Sequence, residues 1–253
     1  MLGLAHNRVE TGGAMANLSD CEVTVAGLLE PAASSAAAPD ASRPILLLQG
    51  FGSSAGGLVH LGRELERALG RKIVVVPSCG GRAGLRERAR EVNRVLDRLA
   101  AAPGFEYADV VGHSMGGLVA TYLLKCVDGG RRVRNVLTLG TPHRGTPLAR
   151  VCSLFFGGLS RVMRQMTPRS GFLEELKWMP VPSGCRLVSI AGERDRVVPA
   201  RFAQLMPLPG HRDLRIPGAT HLRLVFSPSV LGALCCALIY SEPEPVEPEA
   251  LVA

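Results

Sequence analysis

The amino-acid sequence predicts an α/β fold, a mostly parallel sheet with helices on both faces. Three observations carry this. Short apolar runs such as PILLLQG, KIVVVP and YADVVG suit strands buried on both faces. Between them lie longer segments whose apolar residues recur with helical period. The connections are short, so strands and helices alternate in one layered body. The composition agrees: 253 residues, 47% hydrophobic and 20% charged, is a globular balance.

Residues 1–43 read as an irregular N-terminal segment. AASSAAAPDASRP at 32–44 has the composition of a linker, and a short strand fits Cys21–Leu28. The folded body is expected over 44–240. Its first core strand starts at Ile45, and GLVHLGRELERALG follows as a helix closed by Gly70. KIVVVP is the second strand. From Gly84 to Ala101, Leu85, Ala89, Val92, Val95, Leu96 and Leu99 form one apolar stripe against arginines, an amphipathic helix. YADVVG is the third strand, 115–127 an apolar helix and RNVLTLG the fourth strand. The rhythm then breaks. Residues 146–182 read as a small cap-like insertion with one or two short helices, rich in Phe, Met and Leu and holding Trp178. RLVSIAG resumes as the fifth strand, 200–206 as a short helix, DLRIPG as the sixth strand and Val230–Tyr240 as a terminal helix. Residues 241–253 read as a disordered, acidic, proline-rich tail.

Charge and cysteines narrow the partners. The net charge is +7, from 29 basic and 22 acidic residues, and four of the acids (Glu242, Glu244, Glu247, Glu249) lie in the tail. Only Lys72, Lys125 and Lys177 are lysines, and the arginines are scattered. Without a basic stripe or interleaved aromatics, nucleic acid is not an expected partner. Seven cysteines without metal-ligand spacing read as small buried hydrophobes in a reducing compartment. No apolar run is long enough to span a membrane, and MLGLAHNRVETGG lacks the apolar core of a secretory signal. A cytoplasmic location is therefore expected.

The chemistry centres on YADVVGHSMGGLVATYLL. A buried strand runs into Gly112-His113-Ser114-Met115-Gly116 and on into a helix. This is G-x-S-x-G in the strand–turn–helix setting of a nucleophile elbow. The sharp turn strains the serine and holds its hydroxyl in the open, and the glycines leave room where side chains would clash. A hydroxyl nucleophile needs a base, and the base needs an orienting group. In the order Ser, acid, His, the base is expected from His143, His211 or His221. His221 follows the last strand at the same sheet edge as Ser114. His143 shares that edge but is bound up in the turn TPHRGTP, and His211 lies at the opposite edge. The acid is expected after the fifth strand in AGERDRVVP, where Asp195 is favoured over Glu193 because Val197-Val198-Pro199 pins its loop. Asp109 and Asp128 read as structural. Two backbone N–H groups should face the oxyanion, those of Met115 and of Phe51 in Gln49-Gly50-Phe51-Gly52.

From Pro44 to about Phe226 the chain resembles an α/β-hydrolase-fold lipase or esterase. PILLLQGFG, VVGHSMGG, LTLGTPHRGTPLA, QMTPRSGFLEEL, AGERDRVVP and GATHL occur in the family's order. TPHRGT and the Gln-Met-x-Pro-x-Ser-x-Phe-Leu stretch resemble bacterial triacylglycerol lipases and related lipase-like acyl hydrolases. The resemblance implies Ser114, Asp195 and His221 as a triad and Phe51 and Met115 as an oxyanion hole. One departure is that the family's oxyanion loop usually starts His-Gly, whereas here it starts Gln49-Gly50. The implied activity is hydrolysis of carboxylic esters, small or lipidic. Some secreted relatives carry a calcium site or disulfides, but no carboxylate cluster in this sequence points to either, and no cofactor or metal is expected. Thioesterase, amidase or acyltransferase chemistry on the same triad, and a non-catalytic ligand-binding member of the fold, are the alternatives. Phe155, Phe156 and Met163 in the insertion are expected to line an acyl pocket. An apolar surface there would also suit peripheral contact with a lipid interface.

Overall fold

The computed structural model describes residues 40–51, 56–77, 83–149 and 161–239. The Cys21–Leu28 strand, the acidic tail, Phe155 and Phe156 lie outside the described residues. Six strands, β1 (Asp40–Leu48), β2 (Arg71–Val76), β3 (Ala108–His113), β4 (Val133–Leu139), β5 (Arg186–Gly192) and β6 (His211–Ile216), form one sheet in the order β2-β1-β3-β4-β5-β6. Every neighbouring pair is parallel. All C-terminal strand ends therefore share one edge, where an α/β sheet presents its site.

Alternate residues of each strand feed two cores. On one face, Leu46, Leu48 and Val110 pack with α2 (Leu85–Ala100) and α3 (Met115–Tyr122). On the other, Ile45, Leu47 and Val111 pack with α1 (Gly56–Leu69) and the terminal helix α7 (Pro228–Ile239). Helix α1 stops where the sequence indicated, at Gly70, whose φ is +60° and whose N–H returns to the Glu66 carbonyl at 2.9 Å. In β3 every residue is buried, which is why YADVVG reads as a continuous apolar run broken only by Asp109. Asp109 Oδ1 accepts from the Asn135 backbone at 3.1 Å and its side-chain amide at 2.7 Å, and Oδ2 lies 2.8 Å from Arg71. Asp128 accepts from the backbones of Arg132 and Val133 at 2.9 and 3.0 Å. Both carboxylates tie the sheet together at its N-terminal end.

Two features depart from the sequence reading. Strand β1 starts at Asp40, inside the stretch expected as linker, with a register irregularity before Ile45. The arm is held from afar: Arg71 Nε donates to the Arg43 carbonyl at 2.7 Å, and Glu106 N–H to the Ser42 carbonyl at 2.9 Å. The second departure is the apolar helix after β3, which leaves α-geometry at Leu123 and widens into a π-turn through Asp128.

The insertion contributes α4 (Arg161–Gln165) and α5 (Gly171–Trp178). Val162, Met166, Phe172, Leu173 and Leu176 are buried in the same cluster as α2 and α3. Gln165 accepts from the Leu85 N–H at 2.8 Å, closing the N-terminus of α2. The described part of the insertion thus completes the core on that face. Met163, expected at an acyl pocket, is partly buried against this cluster. A short helix α6 (Ala200–Ala203) precedes β6.

Candidate active site

The turn between β3 and α3 is built by close approach. A Cβ at Gly112 would stand 2.6 Å from the backbone of Gly116, and one at Gly116 would stand 2.3 Å from the Leu48 carbonyl oxygen. Only glycine lets strand, turn and helix come this near. Ser114, between them, has φ 53° and ψ −121°, a strained state for a residue with a side chain. The strain is held by three hydrogen bonds. Ser114 N–H donates to the Leu139 carbonyl at 2.8 Å. Its carbonyl accepts from Gly117 N–H at 3.1 Å and from the Thr141 hydroxyl at 2.9 Å. Thr141 lies in the TPHRGT segment, where sequence reasoning gave it no role.

Asp195 and His221 meet across 26 residues. Asp195 follows β5, is 4% exposed, and its Oδ2 accepts from His221 Nδ1 at 2.7 Å. Its Oδ1 accepts from the Val197 and Val198 N–H groups at 2.8 and 2.7 Å. The carboxylate is thus fixed through both oxygens, and Nδ1 of His221 carries the proton, leaving Nε2 as the basic nitrogen. Gly140, at the end of β4, fits between the sheet and this pair. A Cβ there would stand 3.0 Å from Asp195 Oδ2 and 3.1 Å from His221 Nδ1. Glu193, the other acid considered, is exposed.

The other histidines are occupied elsewhere. His143 is buried, and its Nε2–H donates at 3.0 Å to the Thr138 hydroxyl, which itself donates to the Val188 carbonyl at 3.3 Å. Burial pushes its pKa down to about 3, so it is neutral. His211 starts β6, at the far edge, where Nδ1–H donates to the Met206 carbonyl at 2.7 Å and Nε2 accepts from Lys125 at 3.0 Å.

Met115 is the first residue of α3 and is 1% exposed. The first N–H groups of a helix have no intrahelical acceptor, and the helix dipole favours negative charge there. Phe51 stands in a turn just past β1 and is 52% exposed. Gly50 brings that turn onto the elbow: a Cβ there would stand 3.0 Å from Ser114 Cβ. Besides Thr141, sequence reasoning missed a second group at this edge, His113. It is buried beside Ser114 and bonds to the main chain of His221. Its place in the elbow motif was visible, but a contact spanning 108 residues was not.

Comparison with known proteins bears on the fold. A family model described as a PGAP1-like alpha/beta domain matches residues 88–212. A curated triacylglycerol lipase from Burkholderia plantarii is 30% identical over 135 residues, or 49% of this chain. The chain spans 37% of the length of that relative. Among solved structures, the mature lipase BlEst2 of Bacillus licheniformis superposes with a TM-score of 0.61 at 16% identity, covering 81% of this chain and 94% of that one. Est1E from Butyrivibrio proteoclasticus gives 0.57 at 15% identity, covering 79% and 88%. Mouse alpha/beta hydrolase domain-containing protein 10 gives 0.52 at 18%, covering 78% and 88%. With its parallel sheet and strained elbow serine, the chain is an α/β-hydrolase-fold protein similar to the lipases and esterases of that fold.

Proposed function

We propose that the protein is a serine hydrolase that cleaves carboxylic esters through an acyl-enzyme. The observation that carries this reading is the 2.7 Å bond between Asp195 and His221 at the edge where strained Ser114 stands. In this mechanism His221 Nε2 takes the Ser114 proton as Oγ attacks the ester carbonyl carbon. The Phe51 and Met115 N–H groups stabilise the oxyanion. Collapse of the tetrahedral species breaks the C–O bond to the alcohol, which leaves with the proton held by His221. Water, deprotonated by the same nitrogen, then releases the acid and restores Ser114. Asp195 keeps Nδ1 protonated and stabilises the imidazolium in both halves. A small or lipidic ester is the substrate class, in keeping with the lipase and esterase names of similar proteins.

The test is a series of nitrophenyl esters used below their aggregation limit. A burst of nitrophenol followed by slower turnover is expected, because acylation and deacylation are separate steps. Octanoate is expected to exceed acetate in kcat/KM, since each methylene buried in the transition state contributes about 0.8 kcal/mol. Faster cleavage of acetate would remove the acyl-pocket part of the reading, and no turnover of any ester would remove the reading itself.

A further inference from the structure

His113 ends β3 and directly precedes Ser114, and its side chain turns across the sheet edge toward the loop after β6. It is 4% exposed. Its Nε2 lies 3.1 Å from the main-chain carbonyl oxygen of His221. A carbonyl only accepts, so Nε2 carries the proton and Nδ1 keeps its lone pair. Nδ1 faces the turn after β1, where a Cβ on Gly50 would stand 3.4 Å away. The His113 and His221 rings lie 4.8 Å apart between centroids and are tilted by 46°. One imidazole therefore lies beside Gly50, adjoins Ser114 and holds the backbone of His221.

The sheet alone does not provide this link. Strands β3 and β6 are separated by β4 and β5, three strand spacings or roughly 14 Å. Asp195 fixes the ring of His221 through Nδ1 but leaves its main chain to the loop after β6. We propose that His113 is a positioning residue, whose Nε2–H fixes the main chain of His221 and so sets the distance of its free nitrogen from Ser114. This rests on the serine hydrolase reading above. Burial and the neighbouring His221 push His113 down to about 4, against the opposing pull of its hydrogen bond to the His221 carbonyl and of Asp195. It thus stays neutral when His221 gains a proton in turnover, and no second cation is set against the imidazolium.

The test compares His113→Phe, which keeps a ring and loses the donor, with His113→Gln, whose amide N–H can reach the same carbonyl. For a short soluble nitrophenyl ester, His113→Phe is expected to lower kcat about 10- to 100-fold with KM nearly unchanged, as misplacement of a catalytic group by an ångström does. Its reaction rate with a fluorophosphonate should fall by the same factor, and His113→Gln should recover most of both. A purely structural role would lower the melting temperature of both variants alike without this kinetic recovery. Unchanged kcat in His113→Phe, or no recovery in His113→Gln, would overturn the proposal. The native protein gives a reading free of any folding defect. Its 15N spectrum should show His113 protonated at Nε2 and neutral at pH 6, and a proton on Nδ1 would equally overturn it. If the native protein neither turns over ester nor labels, the hydrolase reading fails instead.

Discussion

Asp195 offers its two oxygens to different partners. Oδ1 takes the two N–H groups of Val197 and Val198, and Oδ2 is left for His221. The local pattern Asp-x-Val-Val-Pro announces the first arrangement, because a carboxylate readily accepts from the N–H groups two and three residues on. In the sequence, Asp195 is favoured over Glu193 because Val197-Val198-Pro199 pins its loop. His113 and Thr141 could not be read in the same way, since their partners are fixed only once distant strands align. Replacement of Ser114 or His221 with Ala is expected to lower kcat on the order of 10⁴-fold or more each, and the double change to cost little beyond either, since they act as a unit. Asp195→Asn keeps the shape and both backbone acceptor contacts through its carbonyl, yet turns an amide toward Nδ1. It should lose on the order of 10⁴-fold in kcat with a small change in melting temperature. Losses that add across the Ser114 and His221 single variants would separate these residues into unrelated roles.

The elements were read from periodicity, and where periodicity rules they were found: six strands and helices α1 and α2 lie within a few residues of their expected ends. The misreadings share a cause. The arm at the start of β1, and Lys125 in the π-turn after α3, bond to groups remote in sequence, which local composition does not encode. Lys125 lies within the π-turn. Its ammonium donates to the Met179 carbonyl at 2.7 Å and the Leu176 carbonyl at 3.4 Å, at the C-terminus of α5, and lies 3.0 Å from His211. It closes a helix end whose carbonyls and dipole favour a cation. Burial lowers its pKa to about 8, so it remains mostly charged at neutral pH. Lys125→Met is expected to destabilise the protein by about 1–3 kcal/mol through the carbonyls left without a donor. Faster amide exchange should be concentrated in 171–178. Uniform exchange rates and an unchanged denaturation midpoint would show that the lysine holds nothing there.

For the whole molecule, the buried histidines contribute to the response to acid. His113 and His143 stand at about 4 and about 3 in the folded chain, against an ordinary 6.5 when exposed on unfolding. Below 6.5 the unfolded chain binds more protons than the folded one, so stability is complete above that pH and falls as the pH drops toward 4. Well inside this window each histidine contributes a slope of up to about 1.4 kcal/mol per pH unit. The urea midpoint should therefore decline from pH 6.5 to pH 4, and His143→Asn should shallow the decline. A flat midpoint would mean that neither ring is held neutral by the fold.

The proposed mechanism requires Ser114 to be a nucleophile activated by its surroundings. The direct measurement is intact-mass analysis and peptide mapping after exposure to a fluorophosphonate. The expected result is one adduct per chain, located on Ser114, absent in Ser114→Ala and formed far more slowly in His221→Ala. A native protein that stays unmodified, or an adduct that persists in Ser114→Ala, would contradict it.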